Sequence, residues 1–283
     1  MIILLFFGWF HGMIKKRKQE IKSMNLRIRV ADPAGNITIF VLDRVQRKDY
    51  AEISAQLLKK EEFHAEQVGF IEEKEDGTWR MQMMGGEFCG NASRSFGYLK
   101  SMMEEDHPEQ VSVEVSGSDR ILTAEVDLKK GTSRIQMPLP LEIRKLHADG
   151  MESYPMVVFD GICHVIATSE PQSAEFVEKI ICAAQEEVPC DACGVMFLEG
   201  DRMTPVVYVK ETDSLIWESS CGSGTMGAAV WLSDGKEDGV YTYYLKQPGG
   251  TIEAVVYREG GKVTECKMGG AVSISEEICT EIG

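Results

Sequence analysis

The chain has 283 residues and a mass of 31.5 kDa, enough for one large domain or two of ordinary size, each with a full apolar core. Its 43% hydrophobic and 27% charged residues are the composition of a globular protein rather than a disordered one. A net charge of −15, with a single basic run at Lys15-Lys16-Arg17-Lys18, argues against a nucleic-acid partner, since a phosphate backbone needs clustered cations.

Residues 2–10, IILLFFGWF, form an apolar block shorter than the roughly 20 residues that a spanning helix needs. Its charges follow the block and no A-x-A site succeeds it, which fits a secretory signal poorly. Residues 1–23 are therefore expected to be an extension ahead of a start at Met24, with a short membrane-surface anchor as the competing reading. No stable membrane association is expected. The intact mass of native protein separates these readings.

From Met24, MNLRIRVADPAGN reads as a first strand. AEISAQLLKKEEF (51–63) places apolar residues at helical spacing, and QVGFIEE (67–73) follows as a strand. GGEFCGNASRSFGYL (85–99) then sets a cysteine and a Gly-Asn turn before an apolar stretch, and VSVEVSGSDRILTAEVD and SRIQMP supply alternating strands around a Ser-Gly turn. MPLPLEIRKLHADG holds two prolines and a polar end, which puts a boundary between residues 138 and 150. Beyond it the same order returns: a helical AEFVEKIICAAQEE (174–187), a strand GVMFLEG (194–200), and a second cysteine turn in WESSCGSGTMGAAVW. The hairpin YTYYLKQPGGTIEAVVY and VTECKMGG close the series.

The second series copies the first. Cys89 and Cys221 are 132 residues apart, as are Gly117 and Gly249, while Met137 and Met268 are 131 apart. An internal repeat of this length predicts two α+β halves rich in antiparallel strands. The expected division is residues 24–140 and 141–283, after the doubtful 1–23.

Each cysteine is expected at the start of a helix, because Gly-Asn and Gly-Ser are turn and cap chemistry. The helix dipole there should stabilise a thiolate and lower the thiol pKa toward neutrality, and the same N–H groups can hold a carboxylate. Two such turns facing each other would set one thiol as base and the other as acid on opposite faces of an α-carbon, which inverts the stereocentre. Two buried structural cysteines are the plainer alternative, and a small-carboxylate binder without chemistry is the competing function. Matching contexts, with Glu87 and Glu218 before the cysteines, favour the acid/base pair.

At these residues the chain resembles the diaminopimelate epimerase superfamily of cofactor-independent amino-acid racemases and epimerases, over nearly everything after Met24. The resemblance implies two pseudo-symmetric halves, each a sheet wrapped around a helix, with the active site in the cleft between them. It implies Cys89 and Cys221 as the acid/base thiols, with Gly90, Asn91, Gly222 and Ser223 binding the substrate carboxylate. Asn36 in PAGNITIF, Gln67 in AEQVGFIEE, His164 in GICHVIAT and Glu211 in VKETDSLIWESSC match further substrate-binding positions. Diaminopimelate epimerases carry a Glu-Arg pair before the second cysteine, where this chain reads Lys210-Glu211-Thr212. A distal carboxylate thus lacks its arginine.

ADPAGNITIFV, EQVGFIE, GGEFCGNAS, SLIWESSCGSGT and KQPGGTI together are similar to the histidine racemase branch, which supplies D-histidine for staphylopine-type opine metallophores. That implies L- and D-histidine as substrates and no cofactor. Diaminopimelate or another amino acid is the alternative. A homodimer is expected on the same resemblance.

Eight cysteines in a chain of this size point to a reduced, cytoplasmic protein rather than a disulfide framework. Cys190 and Cys193 form a C-x-x-C without a second such motif, so no metal site is expected. A Cys89–Cys221 disulfide is expected in oxidised preparations, and closure of the two halves over substrate would exclude water from the carbon acid.

Overall fold

The computed structural model describes residues 23–148, 150, 153–211 and 213–283; the expectation for the N-terminal extension lies outside these apart from Ser23. The chain begins with β1 (Met24–Asp32), β2 (Thr38–Val41), helix α1 (Tyr50–Leu57), β3 (Gln67–Glu73), β4 (Trp79–Met83), helix α2 (Gly90–Met103), β5 (Gln110–Val115), β6 (Leu122–Asp127) and β7 (Thr132–Gln136). It continues with β8 (Glu142–His147), β9 (Ser153–Phe159), β10 (Ile162–Ala167), helix α3 (Ala174–Glu187), β11 (Ala192–Glu199), β12 (Arg202–Val209) and β13 (Ser214–Trp217). Helix α4 (Gly222–Ser233), β14 (Gly239–Gln247), β15 (Gly250–Glu259), β16 (Lys262–Ala271), β17 (Ser273–Ile274) and β18 (Ile278–Ile282) complete it. This is a mixed, sheet-dominated α+β fold.

Among the described residues antiparallel pairs predominate, and four pairings are parallel: β2–β3, β4–β5, β10–β11 and β12–β14. Along β1 to β7 the neighbours run antiparallel, parallel, antiparallel, parallel, antiparallel, antiparallel. The same order holds along β9, β10, β11, β12, β14, β15 and β16. β7 and β16 then pair with each other, Ile135 opposite Met268. β8 lies on β9, while the last strands β17 and β18 return to β1. No helix among the described residues is long and apolar enough to cross a membrane.

The helical spacing over 51–63 yields a shorter helix. α1 ends at Leu57 and a separate 3-10 turn covers Glu61–Phe63, with His64 in a left-handed conformation behind it. Ile53 and Leu57 are fully buried, whereas Lys59 to Glu62 offers no apolar group to bury, so packing ends the helix there. α3 has the expected limits, because Ser173 accepts the Phe176 N–H and caps it.

α2 and α4 share one core. Ala92, Phe96 and Leu99 of α2 and Met226, Ala229 and Val230 of α4 are buried in a cluster with strands β4 to β7, β15 and β16. α4, GSGTMGAAVWLS, is apolar or small on every side, the pattern of a helix enclosed by protein. Gly227 lets β10 approach it closely, since a Cβ there would lie 3.2 Å from the His164 Cβ. The helices thus stand inside the sheets, and both N-termini are held by neighbouring strands.

Candidate active site

Two cysteines cap two helices in the same way. Cys89 (φ −126°, ψ 114°) precedes α2, and its sulfur accepts the Ala92 N–H at 3.4 Å. Cys221 (φ −120°, ψ 111°) precedes α4, and its sulfur accepts the Gly224 N–H at 3.3 Å. One turn on, the Ser93 and Thr225 hydroxyls each donate to their own cysteine's carbonyl oxygen. The sequence builds this locally: an extended cysteine, then a glycine whose missing side chain admits a methionine. A Cβ on Gly90 would come within 2.8 Å of the Met137 sulfur and 2.9 Å of the Met268 Cε, and one on Gly222 within 2.5 Å of the Met268 sulfur. Met268 therefore touches both helix starts, and Asn91 Nδ2 donates to Ser220 Oγ at 3.4 Å between them.

Around Cys89 the structure gathers the expected polar groups. Ala34 and Gly35 both take left-handed backbone angles (φ 68° and 85°), a strained turn for alanine. A Cβ on Gly35 would sit 2.7 Å from the Gly249 Cα, so only glycine lets these two loops touch. The turn delivers Asn36, whose Oδ1 accepts the Gln67 Nε2–H at 2.8 Å and the Cys89 thiol at 3.8 Å. Gln67 also donates to Thr38 Oγ1, and Asn36 Nδ2 donates to Glu66 Oε2 at 2.9 Å. Around Cys221, Gln247 accepts the cysteine N–H at 2.8 Å and donates to Thr225 Oγ1, while the Ser223 hydroxyl lies 3.6 Å from the sulfur.

The thiols do not have the lowered pKa expected from their helix positions. Burial pushes Cys89 up, against the pull of the Ala92 N–H and the Gln67 amide. Burial pushes Cys221 further up, with the neighbouring Glu218 carboxylate adding repulsion. One backbone N–H at 3.3–3.4 Å does not replace the water lost by a buried sulfur. Glu218 is itself raised to about 7 by burial, with a contribution from Glu66, although its hydrogen bond with Cys221 opposes the shift. Burial, then the charge of Glu211, raises Glu87 as well.

His164 and Glu211 meet this cluster through packing and charge, His164 against Gly227 of α4 and Glu211 on Glu87. The His164 ring is fully buried on β10, edge-on to Phe159 with centroids 6.2 Å apart. Among the described residues neither of its ring nitrogens has a hydrogen-bond partner, and burial lowers its pKa to about 3. Glu211 is exposed in the turn after β12 and acts on Glu87 through its charge alone.

Sequence reasoning missed Glu66, Ser220, Met268, Gln247 and Arg94 as parts of this site. Arg94 is wholly buried one turn into α2. It donates to Asn91 Oδ1 and to the carbonyls of Gly270, Ala271 and Pro33. A basic residue five positions after the cysteine, amid side chains otherwise small or apolar, was the available signal.

The family described as histidine racemase CntK N-terminal domain matches residues 26–278. A histidine racemase from Fusobacterium nucleatum subsp. nucleatum is 34% identical over 250 residues, 82% of this chain and 92% of that protein. One from Staphylococcus aureus is 32% identical over 240 residues, 78% of this chain and 85% of that protein. Among solved structures, a phenazine biosynthesis protein of the PhzF family from Bacillus anthracis shares the fold, with a TM-score of 0.67 and 14% identity over 93% of this chain and all of that one. With 253 consecutive residues matched, both cysteine turns included, the chain belongs to the histidine racemase CntK family.

Proposed function

We propose that the chain interconverts L- and D-histidine without a cofactor, using Cys89 and Cys221 as the acid/base pair. The observation that carries this is the duplicated cap: two cysteines with the same backbone angles and the same sulfur-to-amide bond, joined through Met268 and the Asn91–Ser220 contact. The relatives named histidine racemase support the substrate. The repeated strand pairing supports two pseudo-symmetric halves, divided near residue 140, with the site between them and β17–β18 crossing back to β1.

In this reading the first N–H groups of α2 and α4, on Gly90, Asn91, Gly222 and Ser223, bind the substrate carboxylate, because helix-start donors have no intrahelical partner. Asn36 and Gln67 orient Cys89. Glu211 and the buried His164 are assigned to the walls that receive the rest of the substrate. Both thiols rest protonated, so one must become a thiolate as substrate binds. The cationic groups of histidine, entering among Glu66, Glu87 and Glu218, offset the Glu218 repulsion that adds to burial in holding the Cys221 thiol up. The thiolate then removes the α-proton, and the opposite thiol protonates the other face. A cytoplasmic homodimer serving opine metallophore synthesis completes the proposal.

The test is reduced enzyme without added cofactor, incubated in D2O with L-histidine, other L-amino acids and diaminopimelate, and followed by NMR and chiral chromatography. Exchange with inversion of histidine is the expected result. Inversion of a different amino acid overturns the substrate, and no exchange with any of them overturns the racemase.

A further inference from the structure

We propose that Cys163, Cys190 and Cys193 form a reversible thiol–disulfide site, oxidised by peroxides and separate from the Cys89/Cys221 pair. The parallel register of β10 and β11 sets Cys163 opposite Cys193, with their sulfurs 3.5 Å apart. The loop before β11 is pinned by the Asp191 and Ala192 N–H groups, which both donate to the Gly161 carbonyl oxygen, and it brings the Cys190 sulfur to 3.5 Å from the Cys163 sulfur as well. The Cys163 sulfur thus has two sulfur neighbours at 3.5 Å, each within a shift of about 1.5 Å of bonding.

Exposure orders the three. Cys163 and Cys193 are fully buried among Val165, Val195 and Phe197, while Cys190 keeps partial access to solvent. The Cys163 sulfur and then burial push Cys190 up, while Cys163 itself, against the opposing hydrogen bond with Cys190, is raised to about 12 by Cys193 and burial; all three cysteines are unbridged. Among the described residues no group of His, Cys, Asp and Glu is arranged to hold a metal.

The accessible Cys190 reacts first, as the minor thiolate formed when its proton passes to solvent. Its sulfur takes one oxygen from hydrogen peroxide, the O–O bond breaks, one water leaves, and Cys190 becomes a sulfenic acid. The Cys163 sulfur then attacks the Cys190 sulfur; the S–O bond breaks, and the hydroxyl leaves as a second water with the Cys163 proton. Two thiols have lost two electrons and the peroxide has gained them. Cys193 next attacks the Cys163 sulfur, forming a Cys163–Cys193 bond and returning Cys190 to the thiol with the proton that Cys193 gives up. The oxidised bond ends between two buried strands and the accessible thiol is restored.

The test uses the full-length reduced protein exposed to hydrogen peroxide, alkylated under denaturing conditions and cut with trypsin. Cleavage after Lys145, Lys179 and Arg202 separates Cys163 from a peptide bearing Cys182, Cys190 and Cys193. The expected product is these two peptides joined, two hydrogens lighter than the free pair and released by dithiothreitol. Cys190→Ser should slow the joining by about tenfold or more, since the nucleophile that remains is shielded. Cys193→Ser should leave a Cys163–Cys190 link, and Cys182→Ser should change nothing. Free Cys163 in protein whose Cys182 and Cys279 are oxidised would overturn the proposal, as would a Cys190 sulfinic acid without a cross-link. A link that disappears in Cys182→Ser would also overturn it. Circular dichroism of each variant separates a lost link from a lost fold.

Discussion

Arg94→Met removes a cation that ties three parts of the chain together. The guanidinium donates to Asn91 Oδ1 at 3.2 Å, Gly270 O at 3.1 Å, Ala271 O at 2.9 Å and Pro33 O at 2.9 Å. The side chain is fully buried, and burial lowers its pKa only to about 10, so it stays charged at neutral pH. Methionine fills much of the space but donates nothing. Each stranded acceptor costs about 1–3 kcal/mol, against which the variant regains the solvation that the buried cation gave up. The net expectation is a loss of about 3–5 kcal/mol, the range seen when one partner of a buried charged network is removed. Arg94→Lys keeps the charge but has three donors for four acceptors, so it should lose about half as much. Urea unfolding of the three proteins near neutral pH measures both values. A loss under about 1 kcal/mol in Arg94→Met would refute the reasoning, because four acceptors would then be satisfied without the guanidinium.

Cys89→Ser and Cys221→Ser should each lower histidine racemisation by about a thousandfold or more, because each removes one of two proton carriers; a single variant near wild-type turnover would end the two-thiol reading. Glu218 has its carboxyl raised from 4.5 to about 7 in the fold, so the folded state holds a proton that the unfolded state releases. Stability should therefore fall as pH rises from about 4.5 to 7, by up to about 3 kcal/mol, and Glu218→Gln should flatten that slope in urea titrations. Parallel slopes in the two proteins would contradict it. Gly97→Ala places a Cβ 2.3 Å from the Ala124 Cβ on β6 and should cost about 1–3 kcal/mol. Combining it with Ala124→Gly should restore most of the loss in thermal melts, and simple additivity would deny the contact.

The parts legible in the sequence are those set by short-range chemistry. A cysteine followed by Gly-Asn or Gly-Ser announces a helix start, and Ser173 before a run of apolar residues at helical spacing announces α3; both stand where the pattern puts them. Asn36 and Gln67, placed through the family resemblance, do meet Cys89. What escaped depends on distant packing. Nothing local marks Ser273–Ile282 as the neighbour of the first strand. The two lysines and two glutamates of residues 59–62 continue a helical pattern in sequence, yet offer the core no face, and α1 stops before them. The thiol pKa shifts run opposite to the helix-start expectation for the same reason: helix position is a local property, whereas burial is a property of everything folded over the cysteine.

That reversal bears on how such a site would work. A pair of permanently ionised thiols would repel each other across a cleft and would react with any oxidant that entered. Burial instead keeps both protonated, while the cap bonds from Ala92 and Gly224 and the buried charge of Arg94 limit what a thiolate would cost at that position. In the proposed mechanism the remaining cost falls when a substrate cation approaches Glu66, Glu87 and Glu218, so the base would form only with substrate present. Neutral amino acids of similar size would then exchange more slowly than histidine even where they fit, because they bring one positive charge at most. Comparing α-proton exchange of histidine and of an uncharged isostere across the titration range of the imidazole separates this electrostatic gating from simple shape. A rate difference that follows imidazolium formation supports gating, and one independent of pH assigns selectivity to fit alone.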